Sequence, residues 1–152
     1  MTDATASNAT ASMIPGTGPD AKPGDPNVVT VRYLSTDIDR SIDFYTNVLD
    51  FHLARRISPV IATLTRGPLA LLLSGPGSSG ARPMPDGREQ HPGGSNRILI
   101  YVPDLNLHIQ KLVAAGAHFM NNVETGPGGK QIQIEDPDGN PIELHEAPKP
   151  DQ

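Results

Sequence analysis

The residues best able to do chemistry in this chain lie near its end, where Glu143 and His145 are separated by one residue. In a strand that spacing puts both side chains on one face, so the pair offers either two metal ligands or an acid and a base. The same pair also fits a hydrogen-bonded histidine at the rim of a sheet, because two ligands alone hold a metal poorly. The other histidines stand apart. His52 and His118 open edge strands, His108 falls among polar helix positions, and His91 lies in a glycine-rich stretch, so solvent is their ordinary partner. Cysteine is absent, which excludes disulfides, thiolate metal sites and cysteine nucleophiles. Arg55-Arg56 is too short a basic cluster for a nucleic-acid surface and reads as a solvated edge. A formal charge of −5 argues the same way.

The elements that must position these groups are punctuated by glycine (15) and proline (16), which concentrate in residues 1–26 and 75–94. Residues 1–26 hold few large apolar side chains and read as a disordered tail. They lack the basic start and apolar centre of a secretory signal, so a cytoplasmic protein is expected. No run reaches the ~18 apolar residues of a membrane span. Residues 27–147 form one domain, followed by a short tail over 148–152. Alternation predicts strands over 28–35, 51–58, 60–66 and 69–74. Thr36 as cap and Asp39 predict a helix over 37–50, with Ile38, Ile42, Tyr45, Val48 and Leu49 as its apolar stripe. A loop covers 76–95.

The order then repeats. A strand over 96–102 precedes a helix capped by Asp104, carrying Leu105, Ile109, Leu112 and Val113 and ending at Gly116. Strands follow over 118–124, 130–135 and 141–146, the last two joined by Asp136-Pro137-Asp138-Gly139-Asn140. One shift of numbering lays Val31 on Ile98, Asp37 on Asp104, Ile38 on Leu105 and Ile42 on Ile109. A slightly larger shift lays Leu69-Ala70-Leu71 on Ile142-Glu143-Leu144 and Pro68 on Pro141. The chain is therefore an internal duplication of a βαβββ unit, over 27–75 and 96–147. The expected class is α+β: two tandem units forming a curled, cup-like mixed sheet with the helices outside.

This pattern resembles the vicinal oxygen chelate superfamily, which includes glyoxalase I, bleomycin-resistance proteins and extradiol dioxygenases. The resemblance is carried by Asp39-Arg40-Ser41-Ile42-Asp43-Phe44-Tyr45 with Val48-Leu49, and by Asp136-Pro137-Asp138-Gly139-Asn140-Pro141-Ile142-Glu143-Leu144. It spans about residues 28–146. Metalloenzymes of this superfamily draw one ligand, typically His, Gln or Glu, from each of four cup-facing strands. The resemblance places those positions at Thr30, Ala70, Arg97 and Glu143. Only Glu143 is an ordinary ligand, and arginine would repel a cation. No metal or other cofactor is therefore expected.

If Thr30 faces the cup, so do Arg32 and Leu34; if Arg97 does, so do Leu99 and Tyr101. Glu143 and His145 join them from the last strand. Val31, Tyr33, Ile98 and Ile100 then pack beneath the helices. Glu143 paired with Arg97 across the cup is the leading structural reading. In a functional one, Arg97 replaces the metal and anchors an oxygen of the ligand. Arg32 and Arg97 against Glu143 leave a net positive charge, suited to a carboxylate, phenolate or phosphate.

The expected function is binding of a small anionic or aromatic molecule without metal, as in the bleomycin-resistance branch. The alternative is a lyase, isomerase or dioxygenase using a divalent metal. Metal-independent acid–base catalysis by Glu143 or His145 is a third reading. The resemblance also implies a homodimer. Nucleic acid and membrane are not expected partners.

Overall fold

The computed structural model describes residues 19–57 and 59–150, so the expected tail lies outside the described residues up to position 18. The chain divides into two compact units, one running to Glu89 and the other from Gln90. Each repeats the order predicted for it.

In the first unit, β1 (Thr30–Leu34) leads into α1 (Ile38–Val48), followed by β2 (His52–Ile57), β3 (Ile61–Arg66) and β4 (Leu69–Ser74). The sheet order is β1-β4-β3-β2, with β1 parallel to β4 and the other pairs antiparallel. The helix cap is Asp37, which accepts from the Arg40 amide, rather than the expected Thr36. Both residues fit a cap by type; the carboxylate one residue closer to the helix takes the role. Ile38, Ile42 and Tyr45 bury the helix stripe, and Tyr45 meets Phe51 edge-on at 5.3 Å. Alternation then sorts β1: Tyr33 is buried with the helix, while Thr30 and Arg32 are exposed on the other face.

Residues 20–26, expected to be tail, are tied down. The Ala21 amide donates to Gly67 O at 2.6 Å, and the Gly67 amide donates to Asp20 at 3.1 Å. The glycine turn between β3 and β4 thus anchors the chain before β1 begins. After β4, residues 76–95 contain no strand or α-helix. They carry a short 3-10 turn over Ser79–Ala81 and a tight turn in which the Met84 amide donates to Arg88 O.

In the second unit, β5 (Ile98–Tyr101) and α2 (Leu105–Ala114) precede β6 (His118–Phe119), β7 (Glu124–Gly126), β8 (Gly129–Glu135) and β9 (Pro141–Glu146). The sheet order is β5-β9-β8-β6, and β7 also pairs with β8. Asp104 caps α2 as expected, and Glu146 of β9 accepts the free Leu105 amide at 3.0 Å. Gly116, at φ +75°, closes the helix: its amide bonds Val113 O and the next amide bonds Leu112 O. Val113 lies at the margin of the stripe and is 62 % exposed, so it leaves the core to Leu105 and Leu112.

The strand expected over 118–124 is broken into β6 and β7. The Met120 amide still bonds Gln133 O, but the Gln133 amide finds its partner in the Asn121 side chain at 2.9 Å, which lets residues 121–123 leave the ladder. Pairing also corrects the repeat. Val31 faces Leu71, whereas its counterpart Ile98 faces Ile142. Ile142 therefore matches Leu71 rather than Leu69, a two-residue slip that preserves the face of every side chain. Helix capping should carry measurable stability. Asp104→Ala is expected to cost about 0.5–2 kcal/mol in urea unfolding, with no change in secondary structure by circular dichroism.

Candidate functional site

The face of the second sheet turned away from α2 carries all five residues predicted there: Arg97, Leu99, Tyr101, Glu143 and His145. Pairing sets Leu99 opposite Glu143 and Tyr101 opposite His145, while Gln133 and Gln131 flank the two acid–base groups from β8. Arg97 lies just before β5, diagonal to Glu143, and a long side chain spans that diagonal.

Glu143 is the centre of this face and is only 3 % exposed. Its Oε1 accepts from Arg97 Nε at 2.9 Å and Nη2 at 2.8 Å, a two-pronged contact. Its Oε2 accepts from His145 Nδ1 at 3.0 Å. The other imidazole nitrogen, Nε2, lies 2.8 Å from Gly128 O. A carbonyl can only accept, and an ionised carboxylate can only accept, so both ring nitrogens donate and His145 is an imidazolium.

The titration shifts agree with that geometry. Burial opposes ionisation of Glu143, yet the hydrogen bonds from His145 and Arg97, with their charges, outweigh it and hold the carboxyl below its ordinary value. The bond to Glu143 and then the Gly128 carbonyl push His145 above its ordinary value, against the pull of desolvation. A depressed carboxyl is a poor general acid, so Glu143 itself is unsuited to donating a proton. These contacts fit the expected pairing of Arg97 with Glu143 and the expected rim histidine. The cluster carries two positive charges and one negative. Beside it, Leu99 is 43 % and Tyr101 60 % exposed, and the Tyr101 ring lies 5.1 Å from the His145 ring.

The first sheet carries the other predicted residues on its face away from α1. Thr30 pairs with Ala70, Arg32 with Leu72 and Leu34 with Ser74. Ala70 is fully buried, so it offers no surface to a ligand. Arg32 Nη1 donates to Ser74 Oγ at 2.8 Å. A cavity of about 400 Å³ opens on this face, lined by Thr30, Arg32 and Leu72 together with Thr63 and Arg55.

Arg55 was read from sequence as part of a solvated edge. Adjacent strand residues must point to opposite faces. Arg56 pairs with Asp39 on the helix side, and Arg55 faces the cavity. The alternation was legible, but a bulge between Leu53 and Arg55 decides which arginine takes which side. The remaining histidines are not idle. His118 pairs with Glu135, and His108 Nδ1 meets Asp104 O at 3.1 Å.

Residues 27–144 match the sequence profile of the Glyoxalase/Bleomycin resistance protein/Dioxygenase superfamily. The chain belongs to this superfamily. Its fold is similar to that of lactoylglutathione lyase from Agrobacterium tumefaciens, with TM-score 0.64 and 21 % identity over 82 % of this chain and 96 % of that one. It is also similar to a superfamily member from Sphaerobacter thermophilus DSM 20745, with TM-score 0.62 and 26 % identity over 78 % and 95 %. A third similar fold is TnmS3, an antibiotic binding protein from Streptomyces sp. CB03234, with TM-score 0.63 and 21 % identity over 84 % and 100 %. No curated protein matches the chain.

The superfamily metal can be tested against the four positions that the resemblance assigns to it. Thr30 and Ala70 bring neither imidazole nor carboxylate, nor does Leu72, which the corrected repeat lays on Glu143, and Arg97 brings a fixed positive charge. Both oxygens of Glu143 are already engaged by cationic donors. These residues do not fit a divalent ion. Among the described residues no group of three His, Cys, Asp or Glu side chains is arranged to hold one.

Two stability outcomes follow. Arg97→Ala leaves the buried Glu143 with His145 as its one cationic partner and should cost up to about 3 kcal/mol in urea unfolding, the lower end for a buried pair because His145 stays and Arg97 keeps 30 % exposure. Replacing both partners, Arg97→Met with Glu143→Leu, should restore most of that loss. The second outcome concerns pH. The folded value of His145 is raised from 6.5, so its contribution is complete below pH 6.5 and fades as pH rises through the folded value. That of Glu143 is lowered from 4.5, so its contribution is complete above pH 4.5 and fades on acidification. The melting-temperature gap between the parent and His145→Gln should therefore be widest between these values and narrow at alkaline pH.

Proposed function

We infer that this protein binds a small organic molecule and does so without the metal of its superfamily. The observation that carries this reading is the state of Glu143. The one ordinary ligand among the four superfamily positions has both oxygens occupied by Arg97 and His145. A metal would have to displace two charge-assisted contacts and sit beside a guanidinium.

The ligand suited to this surface is anionic or aromatic. The positive charge left over by Arg97, His145 and Glu143 attracts a carboxylate, phenolate or phosphate, while exposed Leu99 and Tyr101 offer an apolar platform. The antibiotic-binding relative shows that this fold can serve a binder, and the lyase shows that it can serve an enzyme. The reading includes a homodimer, as the superfamily resemblance implies.

Metal analysis of protein purified without a histidine tag tests the reading, followed by titration with Zn²⁺, Ni²⁺ and Fe²⁺. The expected result is far less than one ion per chain and no rise in melting temperature on titration. About one tightly held ion per chain, lost in Glu143→Ala, would replace this reading with a metal-dependent enzyme. In metal-free protein, a thermal-shift screen of aromatic acids should then find ligands that raise the melting temperature.

A further inference from the structure

The cation pair on the first sheet has no counterpart in the superfamily positions. Arg32 and Arg55 stand at the two ends of one row of cross-strand partners: Arg32 faces Leu72, Leu72 faces Thr63, and Thr63 faces Arg55. Three inter-strand steps separate their backbones, about 14 Å. Between them lies the cavity of about 400 Å³, floored by Leu72 and Thr63 and edged by Ile61. No carboxylate lines it.

Among the described residues the two arginines are also uncompensated. Where a carboxylate is within reach on this unit an arginine takes it, as Arg56 takes Asp39. Arg32 bonds only the neutral Ser74 hydroxyl, and Arg55 has no side-chain partner among the described residues. In a chain whose formal charge is −5, two unpaired cations facing one cavity are a charge arrangement that an anion completes.

Arg32 is moreover held in place. Gly80, in the short turn after β4, lies against its guanidinium so closely that a methyl group there would overlap Nη1. Ser74 fixes the same nitrogen at 2.8 Å. A guanidinium positioned in advance loses less freedom when it binds a planar or tetrahedral anion.

We propose that this cavity is the anion-recognition site of the protein, in which Arg32 and Arg55 clasp the carboxylate or phosphoryl group of a small organic acid over Leu72 and Thr63. The proposal rests on the small-molecule reading above and specifies its ligand class and a residue, Arg55, outside the superfamily positions. Arg32 is the preset half of the clasp. Arg55, on the edge strand, is the half that closes. The apolar floor takes the ring or short chain that carries the acid.

The test is a set of amide-resolved NMR titrations of the full chain with phenylphosphonate, benzoate and the neutral benzamide. One or both acids should shift the Thr63 and Leu72 amides, and which of the two binds tighter distinguishes a phosphoryl from a carboxylate ligand. Arg55→Gln should weaken that binding roughly tenfold or more, while Arg56→Gln should leave it unchanged. Gly80→Ala should also weaken it, because a methyl group there displaces the Arg32 guanidinium from its bond to Ser74. Two results would overturn the proposal: acid binding that survives Arg55→Gln, or benzamide shifting the same amides as strongly as benzoate. In the second case the small-molecule reading survives and only the anion class falls. That broader reading fails separately, by the metal analysis.

Discussion

A carboxylate almost wholly withdrawn from water must be matched by cationic or N–H donors, and Glu143 imposes that requirement on the second unit. Arg97 meets one oxygen and His145 the other. His145 in turn reaches Gly128 O, so the demand of one buried charge extends across β9 to the glycine turn before β8. The imidazole is protonated because it faces two acceptors, and the carboxylate stays ionised because it faces two cations. Neither state is stable alone. The diagonal step from Arg97 to Glu143 and the one-residue gap to His145 are what make the arrangement possible within a single sheet face.

The same requirement supports the metal-free binding proposed above. Where a divalent ion would neutralise Glu143, two side chains already do so, and the partner positions hold a hydroxyl, a methyl and a guanidinium. The first unit shows the opposite condition. Its cavity brings Arg32 and Arg55 together with no acid to balance them. One sheet is internally compensated except for a residual positive charge, and the other offers positive charge outright. Both features support the proposal of an anionic ligand.

Much of the architecture was legible from local pattern. Alternation located β3, β4 and β9 almost to the residue, because burial on one face leaves a period of two in the sequence. Asp104 and Gly116 mark their helix ends by chemistry that needs only neighbouring residues. The superfamily resemblance rests instead on two different motifs, one in each unit. Where the pattern misled, a distant contact was responsible. Asn121 broke a strand by supplying a side-chain acceptor to Gln133, and Gly67 tied down a segment whose composition alone suggests a tail.

Sequence by itself determined the duplicated βαβββ plan and which residues share a face with Glu143, since both follow from periodicity and short-range capping; the superfamily came from the resemblance of two motifs, which the profile match bears out. Tertiary structure decided what those residues do. The protonation of His145 depends on Gly128, which is remote in sequence from Glu143. The role of Arg55 depends on a bulge that shifts the alternation by one residue and turns one arginine toward Asp39 and the other toward the cavity. Strand periodicity fixes that two neighbouring side chains diverge; only the pairing register settles which of them meets a ligand.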